Sequence, residues 1–555
     1  MRKTLLNIRA ILTVTILLSS VESFSQGAYI PPDKPRLIVG IVVEQLRFDQ
    51  LEKIRDKLGE NGIRKLLNEG TTYRSASFAY LLTQAAPGYA TINTGSEPSL
   101  HGIPSDSWYE PLKNGLIFST RDLQARPAGG SPVAGQHSPV NLLATTFSDE
   151  LRLASNNKSK AFGIGFREFS AILSAGHAGN GAFWFDDITG SWMSSSYYME
   201  QLPGWVNDFN ALRISDRYMS GMWTRIKDGS YYSMALTDSL SSEAGFSGIT
   251  EFPYDLGKMS LVGGNQKQRE YKLLKETPFS NSLTTEFAIR LMENEQLGID
   301  EETDFLSIAY SATDHIGHRF GPSSDEAYDA LYRLDKEVEQ ILNWLNEKIG
   351  KKNVLVYFTA AHGVGEVPAL LRANRIPGDY FNQNQALMLL RSYLNAVYGE
   401  GAWVKGYYER QIFLNRTLIE DAKIPLEEIQ NRVARFIIQF SGVSAAYPFH
   451  AFETNSFPNG HLKKISNNYS PLRSGDVILI LQPGWVEKGD NNITNHNSPY
   501  DYDSHVPLIW YGWSINRAVV SRKVNMADIA ATLSTIVRIP LPNACTGEPL
   551  TELIR

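Results

Sequence analysis

Seven consecutive apolar residues, Leu37-Ile-Val-Gly-Ile-Val-Val43, constrain this chain more than any other feature. A run without polar alternation, short and rich in β-branched residues, suits a strand buried on both faces of a parallel sheet. Two later runs repeat the pattern, Phe305 to Tyr310 and Val354 to Phe358. Each run ends in polar residues: Glu44 after the first, Ser311-Ala-Thr-Asp-His-Ile-Gly-His318 after the second, Thr359-Ala-Ala-His-Gly363 after the third. Between the last two, Tyr328, Leu331, Leu334, Val338, Ile341 and Leu345 recur at helical spacing. A further helical pattern follows the first run, from about Gln50 to Glu69. Strand, helix and strand in this order predict a doubly wound, mostly parallel α/β sheet flanked by helices. Ligands of such sheets sit at the carboxyl ends of the strands, where Glu44, Asp314, His318 and His362 fall.

The segments at about 177–278 and 373–472 are rich in Tyr, Trp, Asn and Gly and lack a βα rhythm. They read as insertions capping the ligand edge of one α/β domain over 30–555. At the N-terminus Arg2, Lys3 and Arg9 precede an apolar run from Ile11 to Leu18, with small Ser23 and Ser25 before Gln26. That order reads as a cleaved signal peptide over 1–25, too short in its apolar part to span a bilayer. The expected destination is the periplasm or the exterior. A lone Cys545 allows no internal disulfide. The net charge of −6 supplies no basic footprint for nucleic acid.

Asp314 and His318 stand four residues apart, so one helical turn would put both on one face for a metal. An Asp-x-x-x-His pair alone is more commonly a solvated ion pair, and His505 is the candidate third ligand. Asp186-Asp187 reads as a turn rather than a calcium loop. His101, His177 and His496 read as structural or supporting residues.

Several words in fixed order resemble the type I phosphodiesterase/nucleotide pyrophosphatase branch of the alkaline phosphatase superfamily. They are Ile41-Val-Val-Glu-Gln-Leu-Arg-Phe-Asp49, Ala86-Pro-Gly88, Thr94-Gly-Ser96, His101-Gly-Ile103, Phe183-Trp-Phe-Asp186, Thr313-Asp-His-Ile-Gly-His318, Ala361-His-Gly363 and Tyr502-Asp-Ser-His-Val-Pro507. Asp528-Ile-Ala-Ala-Thr-Leu533 and Pro540-Leu-Pro-Asn543 also resemble the family's ending. The likeness is greatest to secreted bacterial alkaline phosphatases with a threonine nucleophile and two zinc ions.

The resemblance implies a first zinc on Asp314, His318 and His505. It implies a second on the positions of Glu44, Ala85, Ala361 and His362, of which only Glu44 and His362 retain ligand atoms. One zinc is therefore expected. The nucleophile position is Ala85, in Ala85-Ala-Pro-Gly-Tyr89. Proline suits the first turn of a helix, so position 85 falls at or beside a helix N-cap. An alanine there carries no oxygen to attack phosphorus. The family's phosphate-holding Asn is matched by Asp106, and its Lys-x-Arg clamp by Arg167 and Phe169. A carboxylate about 4 Å from a phosphate charge costs on the order of 4 kcal/mol at an effective dielectric of 20.

The expected function is that of an exported family member impaired in catalysis, taking a phosphoester-like ligand or a protein partner at the altered cleft. One alternative is a single-zinc diester hydrolase in which zinc activates water. The other is an ordinary phosphatase with a different register near Ala85, with Thr83 or Thr91 less suited to a displaced nucleophile than to loop or helix roles.

Overall fold

The computed structural model describes residues 33–110, 113–233, 245–246, 248–262, 265–489 and 493–554. The expected signal over 1–25 lies outside them. No helix among the described residues is long and apolar enough to cross a membrane.

The core is one ten-stranded sheet. In chain order its strands are β1 (Leu37–Val43), β2 (Thr71–Ser77), β3 (Pro127–Ala128), β4 (Ala161–Gly165), β5 (Gly181–Asp186), β6 (Ser191–Ser195), β7 (Asp304–Tyr310), β8 (Val354–Ala360), β9 (His505–Gly512) and β10 (Ala518–Asn525). The spatial order is β10-β2-β9-β8-β1-β7-β4-β5-β6-β3. The run β8-β1-β7-β4-β5 is parallel throughout, and β9 and β6 flank it antiparallel. Every residue of β1, β7 and β8 is buried, as unbroken apolar runs require.

Four helices lie at or beside the carboxyl ends of these strands: α1 (Ala85–Thr94), α2 (Glu168–Ala175), α3 (Ala312–Phe320) and α4 (Asp325–Lys348). In α4 all six residues of the apolar stripe are buried, and the Ser324 hydroxyl caps the start by accepting from the Ala327 N–H at 3.1 Å.

The helical pattern from Gln50 to Glu69 is interrupted. Helices cover Phe48–Ile54 and Ile63–Glu69 with a short 3-10 turn at Arg55–Lys57 between them. The break is made by Asp335 of α4, whose carboxylate accepts from the Gly59 N–H at 2.8 Å and the Ile63 N–H at 2.7 Å. A side chain at position 62 would meet the Asp335 carbonyl at 2.2 Å, so only glycine lets the two elements approach this closely.

The first expected insertion needs correction. Its residues 181–195 supply β5 and β6 to the main sheet, with β5 parallel to β4. The second region builds a lobe with its own core, where Leu390, Trp403, Ile412, Ile429 and Leu479 pack together. Its four-stranded sheet takes strands Val404–Tyr408, Gln411–Leu414, Val477–Leu481 and Val443–Pro448 in that spatial order. The first two form a hairpin whose two turn residues, Glu409 and Arg410, both lie at positive φ, 49° and 58°. That backbone suits the right-handed twist of a tight hairpin but is uncommon outside Gly, Asn and Asp.

A candidate metal centre with a filled anion pocket

The cleft is assembled from the carboxyl ends of four adjacent parallel strands. Glu44 follows β1, Arg167 follows β4, Asp314 sits in the first turn of α3 after β7, and Ala361-His362 follow β8. Backbone bonds fix these ends together: the Glu44 N–H donates to the Tyr310 carbonyl at 2.8 Å, and the Ala361 N–H to the Val43 carbonyl at 2.8 Å.

Asp314, His318 and His496 converge, with one ligand atom from each within 4.8 Å of the others. His318 Nε2 lies 3.3 Å from Asp314 Oδ1. Its Nδ1 lies 3.0 Å from the Thr494 carbonyl oxygen, which can only accept, so Nδ1 carries a hydrogen and Nε2 is the atom turned toward Asp314. His362 repeats this device, with Nδ1 2.8 Å from the Gly363 carbonyl oxygen and Nε2 3.8 Å from Asp314 Oδ1. His496 places Nδ1 3.2 Å from Asn497 Oδ1, and its ring lies 4.2 Å from that of His362 and 5.4 Å from that of His318.

Asp314 is buried, and its Oδ1 accepts no hydrogen bond. Burial alone would raise its pKa, but Arg167 and His318 outweigh it and hold the carboxyl well below its usual range. Burial pushes His362 down to about 4 and His496 well below the usual value. His318 runs the other way: burial lowers it, but Asp314 raises it further. An orphaned carboxylate oxygen among buried imidazoles is a donor set that fits a zinc-type ion.

His505 is not part of this group. Its ring stacks on Phe48 with centroids 5.0 Å apart, and its Nε2 lies 2.8 Å from the Arg74 carbonyl oxygen. As the first residue of β9, it faces β2 and Phe48 rather than the cleft. His496 takes the third place because its loop is tied to α3 and to the lobe. The Ile493 N–H donates to the His318 carbonyl at 3.0 Å, and Arg410 donates to the carbonyls of His496 (3.0 Å) and Asn497 (2.6 Å).

The neighbouring half differs. Ala85 is the first residue of α1, Gln84 is the N-cap, and no side chain of the N-cap residue bonds the helix start. A Cβ on Gly88 would meet the Ala361 carbonyl at 2.3 Å, so α1 is packed directly on the end of β8. The N–H groups at this helix start, which no N-cap side chain takes up, would suit an anion. Asp106 occupies that role: its Oδ1 accepts from the Ala86 N–H at 2.8 Å, while its own N–H donates to Gln84 Oε1 at 2.6 Å.

Arg167 is also engaged. It donates to Asp314 Oδ2 at 2.6 Å, lies 3.5 Å from Glu44 Oε2, and reaches His315 Nε2 at 3.3 Å. Phe169 turns an apolar ring toward Tyr89, with centroids 6.5 Å apart. Burial raises Glu44 to about 8 and Asp106 to about 6. From the lobe, Glu409 joins them, pushed up to about 8 by burial and then by Asp106. Glu409 Oε2 accepts from the Gln84 side-chain amide and from Asn497 Nδ2, the latter at 3.1 Å. The Thr91 hydroxyl lies 3.2 Å from His101 Nε2, and His101 Nδ1 accepts from the Ile103 N–H at 3.2 Å, so both hold the loop.

The family profile of type I phosphodiesterase/nucleotide pyrophosphatase matches residues 38–505. This chain belongs to that family. It is 33% identical to alkaline phosphatase PafA of Elizabethkingia meningoseptica over 94% of this chain and 95% of PafA. It is 35% identical to a Myroides odoratus protein named Calcium-transporting ATPase, over 98% and 99% of the two chains. A crystal structure of PafA carrying four substitutions superposes with a TM-score of 0.89 at 33% identity, covering 95% of this chain and all of that one. Fold and membership in the alkaline phosphatase superfamily follow from these matches.

Within the family frame, the residues present fit one metal position. The second position has only Glu44 and His362, because Ala85 and Ala361 carry no donor. Neither Glu44 oxygen accepts a hydrogen bond, and the nearest cation is the Arg167 guanidinium. The residues at this second position do not fit a closed zinc site, which takes four ligands. Sequence reasoning missed His315, Glu409 and Arg410 and undervalued His496. The words around them, Tyr408-Glu-Arg-Gln and Asn495-His-Asn-Ser, carry no periodicity that would mark them.

Proposed function

We propose that this chain is an exported alkaline phosphatase-family protein in which phosphate monoester hydrolysis is absent or lower by several orders of magnitude than in an intact relative. The observation that carries this reading is Asp106 at the start of α1, where its carboxylate takes the Ala86 N–H at 2.8 Å. A phosphate dianion would have to displace a like charge from the one helix terminus suited to hold it. Ala85 offers no nucleophilic oxygen, Phe169 offers no donor, and Arg167 is held by Asp314. The cleft is then suited to recognition of an uncharged or weakly charged phosphoester-like group, or of a protein partner.

The test is zinc-supplemented turnover of p-nitrophenyl phosphate by the purified chain, beside an intact relative. Losses of nucleophile and electrostatic contacts multiply, so the expected rate is lower by at least about 10³-fold. Turnover at an ordinary enzyme rate would sink the reading. Metal-dependent cleavage of a diester alone would redirect it toward a remodelled hydrolase, because Asp106 and Phe169 disfavour a dianion more than a monoanion.

A further inference from the structure

From Asp106 the chain leaves the anion pocket as a hairpin, Ser107–Glu110 against Gly115–Phe118, and comes straight back. The Ser119 N–H donates to the Asp106 carbonyl at 2.9 Å. The next stretch folds on itself, with the Ser138 N–H on the Thr120 carbonyl at 2.9 Å and the Asp122 N–H on the Gln136 carbonyl at 3.0 Å. Between this excursion and the start of α2 lies a groove of about 770 Å³. Leu116, Phe118, Leu123, Val133 and Val140 line it, and it reaches Glu168, the neighbour of Arg167. The five apolar side chains are 44–74% exposed. Apolar surface gathered in this way marks a place of contact with something else.

The polar groups beside them are already occupied. Arg121 donates to the Val133 carbonyl at 3.1 Å and to the Gln136 side chain. Asp122 accepts from the Ser138 hydroxyl at 2.7 Å and the Gln124 N–H at 2.9 Å. His137 Nδ1 lies 3.0 Å from the Thr120 hydroxyl. Burial would raise the Glu168 carboxyl, but His137 and then Lys275 hold it below its usual range. A charged visitor would lose its hydration here without gaining a partner, whereas an uncharged chain or ring gains by burial. The groove also continues the cleft. Asp106, whose carbonyl anchors its wall, takes the Ala86 N–H with its carboxylate, and Glu168 follows Arg167 directly. A space of several hundred Å³ with mostly apolar walls is the usual form of a small-molecule site.

We propose that this groove holds the uncharged alkyl or aryl arm of a phosphodiester whose head lies at the cleft beside Asp106 and Arg167. The proposal rests on the functional reading for the head, and it names the substituent that the chain would select. Selection is by apolar contact, so it grows with the length of the arm.

Calorimetric titration of the zinc-supplemented full chain with methyl ethyl, methyl butyl and methyl hexyl phosphate tests it. Affinity should rise roughly threefold for each added methylene, the gain that burial of that group gives. Phe118→Asp, a change at a half-exposed side chain, should flatten the series while leaving methyl ethyl phosphate within about twofold. Phe118→Leu should keep most of the rise. Leu212→Asp, at an exposed apolar position outside the groove, should leave the series unchanged. A flat series in the unmodified chain would overturn the proposal, as would no binding of any member. A rise that survives Phe118→Asp would do the same. So would an unmodified chain that sediments as a dimer and becomes a monomer in Phe118→Asp, since a second copy would then fill the groove. Ordinary monoester turnover, together with a rise that Phe118→Asp removes, would sink the functional reading and leave this one standing.

Discussion

The two halves of the cleft have met the loss of their family partners differently. On the metal side, Asp314 Oδ1 remains without a donor and the imidazoles are held by their Nδ1 atoms, so ligand atoms stay exposed to one another. On the phosphate side the anion-facing groups have found partners inside the chain, Asp106 with Ala86, Gln84 with Glu409 and Arg167 with Asp314, while both Glu44 oxygens stay without a donor. Buried polar groups left unpaired are costly, so the residues that would hold phosphate are at rest without a ligand, whereas Asp314 is not. Hydrogen-bond satisfaction, more than residue identity, separates a site that awaits a ligand from one that has been closed.

The largest test of that contrast is to reopen the closed half. Ala85→Thr, Ala361→Asp, Asp106→Asn and Phe169→Arg together should raise monoester turnover by at least about 10²-fold over the unmodified chain, while each alone gives little. Steady-state assays of the four single variants beside the combined one decide it. A single change that restores full activity would mean the half was never closed.

Breaking the open half comes next. His496→Ala should lower zinc affinity by at least about 10²-fold, and His505→Ala should leave it unchanged. Chelator competition reads both, and a fall in the second with none in the first would return the third ligand to position 505.

A smaller effect is expected from the carboxylate at α1. Asp106→Ala removes the acceptor of the Ala86 N–H and should cost about 1–2 kcal/mol, read as a lower denaturation midpoint. The same variant should bind inorganic phosphate more tightly than the unmodified chain, since the helix start becomes free.

The smallest effect is a pH dependence. Glu409 titrates near 8 in the folded chain against an ordinary 4.5, so the folded state holds the extra proton between those values. Its contribution to stability is complete below about pH 4.5 and is lost as pH rises through 8. Glu409→Gln, which keeps an acceptor for Gln84 and Asn497, should flatten the fall in Tm between pH 5 and 8 by about 1–3 °C. An unchanged slope in the metal-free chain would show that Glu409 is ionised throughout.

Much of the framework was legible because it depends on local pattern. The runs at Leu37, Phe305 and Val354 announce buried parallel strands, and the polar residues that end them mark the cleft. The third candidate metal ligand was not legible. Asp314 and His318 share a helical turn, whereas His496 arrives on a loop fixed by Thr494 and Arg410, and nothing in local sequence distinguishes it from His505. Arg167 was readable as a cation near phosphate but not as the partner of Asp314, because that depends on the adjacency of β4 and β7. The break at 58–62 escaped for the same reason, being imposed by Asp335 from another helix.

The hairpin tip at Glu409-Arg410 ties the lobe to the metal side, since Arg410 grips both carbonyls of the segment that carries His496. This tie makes the position of His496 depend on the lobe. Asp314 and His318 share one helix of the α/β core, whereas His496 is held by contacts that include Arg410 of a separately cored lobe. Damage to the lobe far from the cleft is therefore expected to surface as a weaker affinity for added metal, read by chelator competition.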